Sequence, residues 1–168
     1  MKKTVLTYGL ISGVIGVALM LFTFFVVADH GTKGVIVGYT GIVLSSLLIF
    51  FGVRSYRENV GDGRISFGRG LAVGVLIALI SATCYVATWE LVYFKIAPGV
   101  ADEMIFGEVA RLKASGASQD KIDAATLQAE SFKKMYDNPL ANACLTYIEP
   151  FPVGLLVTLL SAVILRRK

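Results

Sequence analysis

Glu90 and Glu149 are the only acidic residues that stand inside long apolar runs of this chain. A carboxylate placed in lipid is costly, so each is a functional-site hypothesis by default. Their depths follow from helical rise. Glu90 lies 21 residues beyond Arg69, about 31 Å at 1.5 Å per residue. Glu149 lies 17 residues before Arg166, about 25 Å on the same reckoning. Both therefore fall near one edge of the hydrocarbon at similar height. Two carboxylates brought together there could share a proton and serve a proton- or cation-linked site.

Glu149 has two readings. Glu149-Pro150 matches a helix start, an acidic cap followed by proline at the first helical position. The span then shrinks to Pro150–Leu165, Leu140–Ile148 lies along the interface, Glu149 is a wet cap, and Glu90 beside Trp89 is an interfacial residue. In the other reading the helix continues, and Pro150 and Pro152 free the carbonyls of Thr146 and Ile148. Those acceptors and Glu149 would then form a polar pocket. The cap reading is preferred, because the depth is shallow.

Other reactive side chains point to little chemistry. His30 is the sole histidine and sits in the turn Asp29-His30-Gly31-Thr32-Lys33, so it lacks the partners of a metal site or a catalytic pair. Cys84 and Cys144 are expected to be unpaired small packing residues, since helical rise puts them at different depths. Gly61-Asp62-Gly63 is a turn signal rather than a phosphate loop, with no Gly-Lys-Ser/Thr following and no strand before it. No catalytic residue, cofactor or metal is expected, and the chain is not read as an enzyme.

The elements that must position the carboxylates are plain. At 168 residues, with 55% hydrophobic and 17% charged residues, the chain is too apolar for an ordinary soluble domain. Four runs, about 5–28, 34–53, 69–94 and 140–165, approach or exceed the ~20 residues that cross a bilayer core. Such runs must be helices, since only a helix closes its own backbone hydrogen bonds in lipid. The first run is longer than the 7–15 residues, roughly, of a signal-peptide core, so it is read as a retained span.

Charge sets the orientation. Lys2 and Lys3, then Arg54, Arg57, Arg64 and Arg69, then Arg166, Arg167 and Lys168 abut these runs. Positive residues stay on the cytoplasmic side, so both termini are expected inside. The net charge of +4 comes from these clusters and reports topology, not nucleic acid. The four arginines read first as an anchor of this kind, and secondarily as contacts to anionic headgroups or an acidic partner.

Residues 95–138 form the sizeable insert, with six Lys/Arg against seven Asp/Glu, a balance that permits export. Its pattern is a helical hairpin opened by Pro98-Gly99. Ile105 and Leu112 share one face, Gly116 ends the first helix, and Ser118 caps the second. The second helix carries the stripe Ile122, Ala125, Ala129, Phe132, Tyr136, and Asn138-Pro139 stops it. These stripes are expected to pack on each other, on the membrane surface or on a protein partner. Small residues recur at helix-packing spacing: Gly9/Gly13, Ser12/Gly16, Gly34/Gly38 and Gly70/Gly74/Ala78. They favour a tight bundle and offer a surface for a homodimer. Tyr8 and Tyr56, and Trp89, Tyr93 and Tyr147, fit interfacial aromatic belts.

The segments Lys3-Thr4-Val5-Leu6-Thr7-Tyr8-Gly9-Leu10-Ile11-Ser12-Gly13, Tyr56-Arg57-Glu58-Asn59 and Ile65-Ser66-Phe67-Gly68 carry a family likeness. So do Ser115-Gly116-Ala117-Ser118, Asn138-Pro139-Leu140, Pro152-Val153-Gly154-Leu155-Leu156 and Arg166-Arg167-Lys168. Through them the whole chain resembles a family of small bacterial inner-membrane proteins known only as a domain of unknown function. The resemblance implies four spans, the hairpin insert and a bacterial inner membrane, and it transfers no activity.

The expectation is thus an all-α polytopic membrane protein. It is a single membrane domain over 1–168 with four transmembrane helices and an extramembrane helical hairpin, 95–138, between the third and fourth. The lipid bilayer is its first partner, and no nucleic acid is expected. A non-enzymatic scaffold, accessory or partner-binding role leads. The alternative is a small oligomeric proton- or cation-coupled transporter using Glu90 and Glu149.

Overall fold

The computed structural model describes residues 1–27, 32–97 and 99–167. The turn through Asp29, His30 and Gly31, the Pro98 position and Lys168 lie outside the described residues. In chain order the helices are α1 (Lys2–Phe22), α2 (Thr32–Asn59), α3 (Phe67–Leu91), α4 (Val100–Ala114), α5 (Gln119–Tyr136), α6 (Pro139–Tyr147) and α7 (Pro150–Leu165). The wider π-helical turns Thr23–Val27 and Val92–Ile96 extend α1 and α3. Four stretches are long and apolar enough to cross a membrane: Lys2–Val27, Lys33–Asn59, Phe67–Ile96 and Pro139–Leu165. The protein is therefore an all-α, multi-pass membrane protein. The helix α2 runs through Arg54 and Arg57 to Asn59, past the expected span end, so these two arginines are helical rather than loop residues.

The chain divides into two compact units, Met1–Ala87 with Tyr147–Lys168, and Thr88–Thr146. The second takes in the ends of the third and fourth apolar runs as well as the insert.

The first unit packs α1, α2, α7 and most of α3 around Ile49, Val53, Val73, Ile77 and Leu165, each at most 5% exposed. Its glycines carry the packing. A Cβ at Gly9 or Gly13 would lie 2.8 Å from Ile80 or Cys84 of α3, and one at Gly52 would lie 2.5 Å from Ile77. Gly70, Gly74 and Gly154 bring α3 and α7 together through Ala162, Thr158 and Ala78. Large apolar side chains point the other way, with Val14, Val35, Ile36, Leu156 and Ile164 all exposed. Glycines and hydroxylated residues at the helix contacts, beside this apolar core, suit lipid, which gives no hydrophobic drive for helices to associate.

Local rules set the turns of this unit. Asp62 and Gly63 adopt positive φ, 48° and 78°, at the centre of the α2–α3 connection. Ser66 caps α3 as expected, its Oγ accepting the Arg69 N–H at 3.3 Å. Sequence reading missed the short antiparallel pairing between Ile65 and Arg167, whose N–H groups donate reciprocally at 3.2 and 3.0 Å. It ties the tail after α7 to the α2–α3 connection, with Ile65 and Tyr56 both buried beside Leu165.

In the second unit α4 and α5 lie antiparallel, joined by the turn after Ala114. Gly116 (φ 69°) ends α4 in a Schellman motif, with Ala117 N–H on Leu112 O and Gly116 N–H on Lys113 O. Ser118 stands at the N-cap of α5 but makes no side-chain cap bond. Val109 and Ala129 are buried, while Phe132 of the expected stripe stays 41% exposed. Asn138 does more than stop α5: its Oδ1 accepts the Leu140 and Ala141 N–H groups and so caps α6, which begins with Pro139.

Candidate functional site

The polar interior of the first unit is a set of serines on four helices. Ser12 of α1 donates its hydroxyl to the Ser45 carbonyl of α2 at 2.8 Å, and its oxygen lies 3.0 Å from Ser81 Oγ of α3. A hydroxyl has one proton, so Ser81 is the donor in the second bond. Ser45 in turn donates to Ile42 O, and Ser161 of α7 to Val157 O. Next to them is a cavity bordered by Gly16, Ser45, Ser46, Ser81, Tyr85 and Gly154. Its space for the centre of a water-sized sphere is about 10 Å³, room for a single water molecule. Thr158, fully buried, presents an unpartnered hydroxyl against Gly74. The sequence held a signal for this cluster, serines at packing spacing on separate runs, but Ser12 was read only as a small residue.

Glu149 occupies the N-cap position of α7, with Pro150 at its start, so the fourth run breaks after Tyr147 as the cap reading expected. Its side chain does not cap the helix. It is half-buried and instead accepts a hydrogen bond from Tyr85 OH of α3 at 3.3 Å. Two residues before Tyr85 on α3, Thr83 donates to Leu79 O, which leaves Tyr147 OH to donate to Thr83 at 2.6 Å. These two tyrosine contacts lace α3 to the break between α6 and α7. Tyr147, expected in an interfacial belt, thus has a structural partner on α3.

Glu90 belongs to the second unit. It is half-buried, and its Oε1 is buried with no hydrogen-bond partner. Around it runs a separate polar network. Trp89 Nε1 donates to Tyr136 OH at 3.1 Å, and Tyr93, 5% exposed, donates to Asp137 at 2.6 Å. Asn142 and Thr146, buried in α6, bond each other, and Asn142 Nδ2 donates to Tyr136 O. Trp89, Tyr93 and Tyr56 are therefore tied into protein rather than standing as a lipid-facing belt. In the same last turn of α5, Lys133 Nζ bridges Asp102 at 2.8 Å and Asp137 at 3.2 Å. The Asp102 carboxylate raises the Lys133 pKa, and the Tyr93 hydroxyl with Lys133 holds Asp137 below the usual carboxylate range.

Residues 7–167 match the model of a protein family of unknown function, DUF4199. The chain belongs to that family. No curated protein and no solved structure matches it. The DUF4199 assignment confirms the family likeness carried by the sequence motifs and brings no activity with it.

The remaining candidate residues of this DUF4199 chain divide by charge pairing. Arg54 and Arg57 both bind Glu58, at 2.9 and 3.2 Å. Arg64 and Arg69 are exposed and make no ion pair among the described residues. Among the described residues no three His, Cys, Asp or Glu side chains gather as metal ligands would. Cys84 packs on Gly13, whereas Cys144 is exposed, and no disulfide joins them.

Proposed function

We propose that this protein is a non-enzymatic scaffold or accessory subunit of a bacterial inner membrane, with both termini cytoplasmic and α4–α5 on the opposite side. The basic clusters at Lys2-Lys3, Arg54–Arg69 and Arg166–Lys168 support the orientation. The observation that carries the role is the face of α4 and α5 that forms an open groove over Phe106 and Leu127. Leu127 is 66% exposed, and Glu130, Ser131, Lys133 and Asp137 rim it. An apolar centre with a charged rim is the anatomy of a protein-binding patch. The hydroxyls of the bundle core support the non-enzymatic part, since Ser12 donates across to the Ser45 carbonyl of α2 while Ser45 and Ser161 donate to carbonyls of their own helices. Self-association, where it occurs, falls to α2, because Gly38 has no atom within 4 Å of its Cβ position.

One variant tests side and role together. With Cys84 and Cys144 replaced by alanine, Leu127→Cys is expected to react with a membrane-impermeant maleimide in intact cells. A benzophenone maleimide at that position is expected to yield one discrete protein adduct on illumination, lost in a Glu130→Lys, Lys133→Glu background. Absence of labelling from outside would overturn the orientation, and a chain that stays monomeric and unadducted would overturn the role.

A second reading, a small oligomeric proton- or cation-coupled transporter, draws on the unpartnered Glu90 oxygen. An isolated buried acceptor in a span is a candidate proton or cation ligand. Under the scaffold reading, proteoliposomes with wild type or the Glu90→Gln, Glu149→Gln double variant should show equal proton flux, at the level of empty liposomes. Flux above that level in the wild type, lost in the double variant, would favour the transporter.

A further inference from the structure

The elbow between α5 and α6 forms an open groove of about 410 Å³ lined by Lys134, Met135, Asn138, Leu140, Ala141 and Cys144. Its two parts differ in chemistry. Lys134 is exposed and makes no ion pair among the described residues. Asn138 spends its Oδ1 on the Leu140 and Ala141 N–H groups, which leaves its Nδ2 protons to donate outward. Beyond these donors the wall is apolar: Met135 is 44% exposed, Leu140 75%, and Cys144 is exposed. Leu140 and Cys144 also stand at the head of Pro139–Leu165, a run apolar enough to cross the membrane. An exposed leucine at the head of such a run suits contact with acyl chains.

We propose that this groove binds one anionic phospholipid, with its phosphate on Lys134 Nζ and Asn138 Nδ2 and its first acyl carbons on Met135, Leu140 and Cys144. An ammonium and an amide donor suit the acceptor-only oxygens of a phosphate. The lysine stem covers apolar surface while its charge stays at headgroup level. The polar-to-apolar order of the lining, read from α5 into α6, is the head-to-tail order of a lipid. A partner helix would not need the donors at one end and the bare hydrocarbon at the other. The assignment rests on the membrane-spanning character of Pro139–Leu165; Lys134 also borders the α4–α5 groove, so Cys144→Trp, which lies outside that groove, separates the two roles.

The test uses the full chain in phosphatidylcholine nanodiscs doped with a phosphatidylglycerol that carries a diazirine near the head of one acyl chain. Labelled peptides are mapped by mass spectrometry. Labelling at Met135, Leu140 and Cys144 is expected to exceed that at Leu156 and Leu160, exposed residues of α7 that report ordinary lipid contact. Unlabelled phosphatidylglycerol should compete and phosphatidylcholine should not. Lys134→Glu, at an exposed and unpaired position, is expected to weaken apparent binding roughly five-fold or more, the effect of one cation near an anionic surface. Cys144→Trp fills the groove without changing charge and should remove labelling at Met135 and Leu140. Equal labelling of groove and α7, equal competition by the two lipids, or indifference to both substitutions would overturn the proposal. A groove left unlabelled because a protein segment covers it would do the same.

Discussion

Gly74→Leu is expected to disrupt the packing of α3 on α7, whereas Gly38→Leu leaves the fold intact. A Cβ at Gly74 would lie 2.5 Å from Thr158 Cγ2 and 2.9 Å from its Oγ1. Thr158 is fully buried and β-branched, so it has little rotamer freedom with which to move aside. The helices themselves must separate, and the rest of the leucine side chain then has no space. Overpacking of this kind costs about 3 kcal/mol. The loss is compounded because close backbone approach is a main source of helix association in lipid. At Gly38 the Cβ position meets nothing within 4 Å, and leucine is the better helix former by ~0.8 kcal/mol in a soluble helix. Thermal unfolding followed by circular dichroism in mild detergent should show a clear fall in Tm for Gly74→Leu and none for Gly38→Leu. Equal losses from the two would mean that the glycine stripes do not pack as described.

Asn142→Leu is expected to loosen the joint between α5 and α6. Asn142 is fully buried and closes two bonds, donating to Tyr136 O at 3.1 Å and accepting from Thr146 Oγ1 at 3.1 Å. Tyr136 ends α5, so its carbonyl has no partner within that helix. Leucine has a similar volume, which removes cavity formation as a cause and isolates the polar term. A buried group left without its partner costs about 1–3 kcal/mol, and here two groups lose one, although Tyr136 OH remains 3.4 Å from Thr146. The result should be faster amide exchange across residues 136–146 and new protease cleavage at the α5–α6 joint. Exchange at the wild-type rate would show that the bond to Tyr136 O contributes nothing.

What the sequence determined by itself is local or compositional. Four apolar runs must be helices, because a chain in lipid has to satisfy its own backbone. Gly116 at the end of α4, Ser66 before α3 and Asn138-Pro139 between α5 and α6 were legible because caps and turns depend on a few adjacent residues. The helix break at Glu149-Pro150 was legible too, but not the role of Glu149, whose side chain meets Tyr85 instead of capping α7 as a wet cap would.

Tertiary structure alone decided which face of each helix turns inward. In a soluble helix an apolar stripe marks the core, but a helix apolar all round carries no such mark, and lipid is as apolar as leucine. Hence Gly9, Gly13 and Gly74 proved to be packed while Gly38 proved to be open, although all four share one spacing. The Ser12–Ser45–Ser81 cluster and the Tyr85 bond to Glu149 join residues that are 33 to 69 positions apart. Trp89 and Tyr93 bond partners on or next to α5 for the same reason, and Ile65 pairs with Arg167. No local rule places such pairs. Their meeting follows from helix rotation and register, which are set when close-packing glycines choose their neighbours.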